Sequence, residues 1–212
     1  MTKNKTSGVT IASCLGLVVF ASTARAQPTS ERQETPALNP VTAERLINAE
    51  NEPHNWLMYS GNYKAQRYSY LEQLHQRNVS KLEIAWVHQL QTLDRAETTP
   101  LVVDSVMYIT ESPSTVIAVD ASTGRPYWRY EHELPEELII CCGRNNRGVA
   151  VQGDRVIMST LDAHLVALDA RSGNVLWETE VRESSSGYSK TAAPLIVGDK
   201  IFTGVAGGEY GI

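Results

Sequence analysis

The 212-residue chain carries 24 acidic against 19 basic residues, a formal net charge of −5, and 42% hydrophobic residues. It has no basic run and no basic stripe interleaved with aromatics, which argues against nucleic acid as a partner. Beyond the first thirty residues no apolar run reaches membrane length.

Lys3 and Lys5 precede an apolar stretch from Val9 to Phe20, and Ala24-Arg25-Ala26 supplies a small-x-small cleavage site. This is the three-part pattern of a secretory signal peptide over residues 1–26, with cleavage expected before Gln27. The twelve residues of that stretch are too few to cross a bilayer core, which takes about 20. Cys14 faintly resembles a lipoprotein box, but apolar residues continue beyond it, so lipidation is the minor reading. Loss of Lys3, Lys5 and Arg25 takes the formal charge from −5 to −8. The expectation is a periplasmic protein without a membrane span. Residues 27–54, rich in Pro, Glu, Thr and Asn, read as an arm with a short helix near Val41 to Asn48 introduced by Thr42 and Glu44.

After Trp56 short β-type runs follow, each bounded by Gly, Asp, Ser or Pro: Leu101 to Val103, Val106 to Ile109, Val116 to Val119 and Val156 to Met158. They repeat. Ala118, Asp120, Gly124 and Trp128 recur 49 residues later as Ala167, Asp169, Gly173 and Trp177. Val103 to Tyr108 matches Gln152 to Ile157, and Val197 to Phe202 opens a third copy. Four short strands per 40 to 50 residues is the signature of propeller blades. Asp and Gly make a hairpin turn, and the returning strand carries an indole to the neighbouring blade, a structural staple. Trp86, in Leu82-Glu83-Ile84-Ala85-Trp86, reads as closing an earlier blade built partly from elsewhere.

Cys141 and Cys142 are adjacent and, with Cys14 removed, have only each other as intramolecular partners in an oxidising compartment. A bond between them closes a small ring held against relaxed peptide geometry, and such pairs tend to mark sites. Two free, buried thiols are the alternative reading.

The Ala, Gly, Trp spacing resembles the tryptophan-docking motif of quinoprotein alcohol dehydrogenases of the methanol and ethanol dehydrogenase type, which depend on pyrroloquinoline quinone (PQQ). The segment from Asn55-Trp56 to Ala85-Trp86, with Tyr59, Gly61, Arg67-Tyr68-Ser69, Leu71 and Asn78-Val79, is similar to that family's opening segment, and Cys141-Cys142 with Asn146-Arg147-Gly148 is characteristic of it. The resemblance covers residues 55–212 and implies an all-β fold, an eight-bladed β-propeller when complete, of which this chain holds about three blades. It implies that the Cys141-Cys142 ring lies on one face of PQQ, that Arg147 binds a cofactor oxygen, that Glu97 lies near the cofactor rim and that Thr191 bonds a PQQ carboxylate. Ala206, Gly207 and Gly208 match the loop whose backbone approaches another carboxylate, and Glu209 matches a ligand of the metal, Ca²⁺ or a lanthanide. Where the family commonly has serine this chain has Ala206, so one side-chain bond to the cofactor is expected to be missing.

The implied activity is oxidation of a small primary alcohol to an aldehyde, with electrons leaving to a cytochrome c; a homodimer or a small partner subunit is compatible with the pattern. The catalytic base and remaining metal ligands are expected beyond Ile212, and these residues alone are expected to be inactive. The rival reading is a non-catalytic periplasmic propeller that acts as a protein-interaction scaffold; it accounts for the repeats but not for the cysteine pair with Arg147 and a Gly-Gly-Glu loop. Non-reducing peptide mass analysis of exported protein should show Cys141 and Cys142 in one peptide lighter by two hydrogens. Two alkylatable thiols in native protein would refute the pairing.

Overall fold

The computed structural model describes residues 34–140, 143–208 and 211. The expected leader, Cys141, Cys142 and Glu209 lie outside these residues.

Two four-stranded antiparallel meanders dominate the chain, in line with the all-β propeller expectation. The first comprises β1 (Leu101–Val103), β2 (Val106–Glu111), β3 (Thr115–Asp120) and β4 (Pro126–Glu131). The second comprises β5 (Val149–Gln152), β6 (Arg155–Ser159), β7 (His164–Asp169) and β8 (Val175–Glu180). A third begins with the hairpin β9 (Leu195–Val197) and β10 (Lys200–Phe202).

The 49-residue repeat is reproduced down to single hydrogen bonds. In the β3–β4 turn, Asp120 Oδ1 accepts from the backbone N–H groups of Ser122 (2.8 Å) and Thr123 (2.9 Å), and Gly124 closes the turn at φ +71°. In the β7–β8 turn, Asp169 Oδ1 accepts from Arg171 (3.1 Å) and Ser172 (2.8 Å), with Gly173 at φ +73°. These bonds, led by that from the Ser122 hydroxyl, hold the Asp120 carboxyl down at about 2. A β-bulge falls at Ala118/Val119 in one sheet and at Ala167/Leu168 in the other, so both outer strands leave the pairing at the same step.

Neighbouring sheets meet through indoles. A Cβ on Gly124 would lie 2.5 Å from Trp86 Cε3, and one on Gly173 would lie 2.6 Å from Trp128 Cε3. The Trp86 Nε1–H donates to the Ala121 carbonyl and the Trp128 Nε1–H to that of Ala170, both at 3.1 Å. Each aromatic face therefore occupies the space that only glycine leaves open, and its polar edge is satisfied at the same turn. Trp86 docks in this way although residues 82–90 form no strand; the blade it closes, read from the sequence as built partly from elsewhere, has no strand of its own among the described residues. Tyr108 packs beside Trp128, and its hydroxyl donates to the same Ala170 carbonyl at 3.0 Å.

The polar segment from residue 34 onward is built into the core shared by both sheets. Helix α1 (Ala43–Ile47) is capped by Thr42, whose hydroxyl accepts from Arg45 N, and it buries Leu46; Val41 bridges to Gly153. Arg45 then pairs with Glu52 at 2.6 Å and with Asp104 of the β1–β2 turn at 2.9 Å. Composition alone masks this seating, because a few apolar anchors and one ion-pair hub carry it.

Replacing Gly173 by Ala adds both a strained positive φ and a clash with Trp128, and should lower stability by roughly 2–4 kcal/mol in urea unfolding. At Gly153, with φ +61° and nothing within 4 Å of a new Cβ, the same change should cost only about 1 kcal/mol. Equal losses would contradict the docking account.

Candidate cofactor site

Each sheet is entered through a loop before its innermost strand. Glu97 lies four residues ahead of β1, Arg147 two ahead of β5 and Thr191 four ahead of β9. Because the docked tryptophans set the sheets side by side, these loops join one another through the backbone: Thr99 N–H donates to Arg147 O and Arg147 N–H donates to Thr191 O, both at 3.0 Å. Gly148 permits this approach; at φ +132° it has no room for a Cβ, which would sit 3.2 Å from Thr99 O.

The side chains converge at the same place. Arg147 Nη2 is 2.9 Å from Glu97 Oε2, and Arg147 Nη1 donates to Thr191 Oγ1 at 2.5 Å. The guanidinium is thus held from both sides, by a carboxylate and by a neutral hydroxyl, with N–H groups to spare and about a third of the side chain still open to solvent. Three loops that are far apart in sequence each contribute one of these residues.

The loop after the cysteine pair is braced against the first sheet. Asn146 is buried; its Nδ2 donates to Ser159 O at 3.0 Å and its Oδ1 accepts from Gly148 N–H at 3.1 Å. Its carbonyl accepts from the Thr110 hydroxyl, which also bonds Thr98. The Ser112 hydroxyl donates to the carbonyls of Arg144 and Arg95.

The glycine-rich stretch is brought alongside by an antiparallel bridge in which Ser189 N–H donates to Ala206 O (3.1 Å) and Ala206 N–H to Ser189 O (2.7 Å). Ala206 and Gly207 therefore flank the strand that leads into Thr191, Gly207 being buried at φ +138° and Gly208 exposed. Two residues not singled out from the sequence belong to this layer. Lys190 is 1% exposed and donates to Thr203 Oγ1 at 3.0 Å; burial pulls its ammonium down to about 8. The Ser189 hydroxyl is buried without a hydrogen-bond partner among the described residues. Their adjacency to Thr191 in Ser189-Lys190-Thr191 was the available signal.

The fold and this convergence of loops define a propeller with a polar, arginine-centred site at the strand entrances. The sequence profile of the family "PQQ: Glucose/ethanol/alcohol dehydrogenase, beta-propeller domain" matches residues 56–209, and the chain belongs to that family. It is 41% identical over 174 residues to the quinoprotein alcohol dehydrogenase PedH of Pseudomonas putida, an overlap of 81% of this chain and 29% of that protein. To the lanthanide-dependent methanol dehydrogenase of Methylacidiphilum fumariolicum it is 39% identical over 175 residues, 80% of this chain and 28% of the other. The solved quinohemoprotein alcohol dehydrogenase ADHIIG of Pseudomonas putida HK5 matches with a TM-score of 0.77 at 37% identity, over 83% of this chain and 26% of that one. The chain thus spans less than a third of the length of these relatives.

The donor set fits a polyanionic quinone. Arg147 retains free N–H groups, Thr191 offers its hydroxyl, Gly208 exposes backbone without a Cβ, and the Ser189 hydroxyl, without a partner among the described residues, lies across the bridge from Ala206, which has no hydroxyl of its own. Among the described residues Glu97 brings a carboxylate to this cluster, and Arg147 already engages it.

The buried Lys190 gives a pH test. Its folded-state pKa, about 8, lies below the usual 10.5, so the unfolded chain binds more protons between these values and folding gains stability as pH rises through that window. The stability difference between wild type and Lys190→Met should shift in favour of wild type from pH 8 to 10.5, read by urea unfolding. A difference that stays flat with pH would place the ammonium in water.

Proposed function

We propose that this chain forms one wall of the cofactor site of a periplasmic PQQ-dependent alcohol dehydrogenase that oxidises a small primary alcohol to an aldehyde and passes electrons to a cytochrome c. The observation that carries the reading is Arg147, held by Glu97 and Thr191 where the loops of three successive sheets meet. PQQ, when bound, supplies an ortho-quinone that accepts the equivalent of a hydride from the alcohol carbon.

The residues of this chain bind and orient. Arg147 would donate from a fixed fork to a cofactor oxygen, and Glu97 keeps the guanidinium aimed while the backbone bonds of Thr99 and Thr191 fix the loop that carries it. Thr191 would share its hydroxyl between Arg147 and a cofactor carboxylate. The backbone of Ala206, Gly207 and Gly208, bridged to Ser189, would receive a second carboxylate. Cys141-Cys142 would cover one face of the ring system, and Glu209 would supply a hard oxygen ligand to Ca²⁺ or a lanthanide. The name of the Methylacidiphilum relative supports a lanthanide as one of the two choices. No helix among the described residues is long and apolar enough to cross a membrane. A pure interaction scaffold gives no reason for a doubly held arginine at this position.

Titrating the protein with PQQ in the presence of Ca²⁺ or La³⁺, followed by cofactor absorbance and fluorescence, tests the proposal. Arg147→Ala removes a charge-assisted bond and should weaken PQQ binding roughly 10- to 100-fold. An affinity unchanged by Arg147→Ala would sink the assignment.

A further inference from the structure

A second group of chemically potent side chains lies away from the Arg147 cluster, between the outer strand of the first sheet and the β6–β7 turn of the second. His132 follows β4 directly, and its backbone N–H donates to Ser114 O at 3.0 Å. Its Nε2 lies 2.9 Å from Asp162 Oδ2 and 3.1 Å from Asp162 Oδ1. His164, at the start of β7, places Nδ1 3.5 Å from Asp162 Oδ2 and 2.9 Å from Glu178 Oε1 of β8. His132 and Asp162 are buried, whereas His164 and Glu178 are progressively more open.

We propose that His132, Asp162 and His164, with Glu178 as the fourth ligand, form a binding site for a zinc-class divalent ion that clips the first sheet to the second. The donor atoms of the three core residues all lie within 4.8 Å of one another. Bonds of about 2.0–2.1 Å to tetrahedral zinc separate its ligands by roughly 3.3–3.5 Å, close to the contacts of Asp162 with His132 (2.9 Å) and with His164 (3.5 Å). Glu178 Oε1 stands 2.9 Å from His164 Nδ1 at the edge of this trio, and its exposed side chain turns inward to complete the set. Two imidazoles and two carboxylates suit zinc and its first-row neighbours, not Ca²⁺, which takes six or more oxygens.

The surroundings are those of a ligand set. The Thr160 hydroxyl donates to Asp162 Oδ1 at 2.5 Å, which orients the carboxylate and leaves Oδ2 facing both histidines. His132 Nδ1 meets the Tyr130 hydroxyl at 3.3 Å, a partner for the ring nitrogen that faces away from Asp162. His164 Nδ1 is buried yet makes no hydrogen bond among the described residues, its short contact with Glu178 lacking the geometry for one. A chain of ion pairs alone leaves that nitrogen unsatisfied, and a cation gives it a bond. The two rings stand edge to face with centroids 5.8 Å apart, so neither blocks the other's lone pair.

The placement has a structural purpose. Residues 132–147 run from His132 to Arg147 through the cysteine pair, so an ion on His132 anchors the near end of the connection whose far end carries Arg147.

Co²⁺ is the probe. Protein freed of metal by chelator and dialysis, with excess Ca²⁺ present to fill oxygen-rich sites and no PQQ added, is titrated with Co²⁺ and then with Zn²⁺. The expected result is one Co²⁺ per chain with the intense visible bands of tetrahedral coordination, bleached by Zn²⁺. In His164→Gln and in Glu178→Gln the Co²⁺ affinity should fall tenfold or more, with circular dichroism unchanged. Glu178 is exposed enough that its variant keeps the fold even if His164→Gln does not. Absence of tetrahedral bands in the wild type, or bands of undiminished affinity in Glu178→Gln, would overturn the proposal. Because no quinone is involved, this outcome is independent of the PQQ reading.

Discussion

The indole of Trp128 occupies the space where any residue but glycine at position 173 would carry its side chain. That single contact brings the second sheet to the first at a separation set by the thickness of an aromatic ring, while the bond from Nε1 to the Ala170 carbonyl fixes its rotation. Trp86 and Gly124 do the same one repeat earlier. Large apolar burial, a satisfied N–H and an excluded Cβ act together, so the sheets are spaced by covalent dimensions instead of by the compliance of flexible side chains.

The consequence for the site is positional accuracy without local bulk. Glu97, Arg147 and Thr191 sit on loops, which are ordinarily the mobile parts of a fold. Here each loop is only two to four residues from a strand, the sheets of β1 and β5 are located by docked indoles, and the loops are tied to each other by backbone bonds at Thr99 and Arg147. The buried Asn146 and the hydroxyls of Thr110 and Ser112 complete the bracing from below. Arg147 can therefore keep an open, solvent-facing fork and still hold its direction.

Much of this was readable before any coordinates. The repeat of Ala, Asp, Gly and Trp at 49 residues announces the turns, the docking partners and the meanders, because a periodic chemical demand leaves a periodic trace. Glu97, Arg147 and Thr191 were traceable through family motifs, and their convergence follows from the equivalent place each holds before an innermost strand. Other features leave no such trace. Trp86 docks without a strand around it, since docking requires only the indole and its acceptor turn. Val41 and Leu46 lie in a polar stretch whose average composition hides two core anchors. His132 and Asp162 are thirty residues apart and meet across two sheets, outside any repeat, and Lys190 is buried although its type predicts exposure.

The docking contact is also interchangeable. Trp86 on Gly124 and Trp128 on Gly173 use the same ring atoms and equivalent acceptor carbonyls, Ala121 and Ala170, so the indole–glycine contact itself does not tell one blade from another. Each sheet presents an aromatic donor on one side and a glycine-lined acceptor on the other, a head-to-tail arrangement in which any donor suits any acceptor. The order of blades must then be dictated by tethering: the stretch from β4 to β5 is short enough that the second sheet reaches its neighbour's indole before a distant copy can. Residues 132–148, which carry the arginine of the site, thereby also act as the sorting device that keeps identical joints from assembling in the wrong sequence.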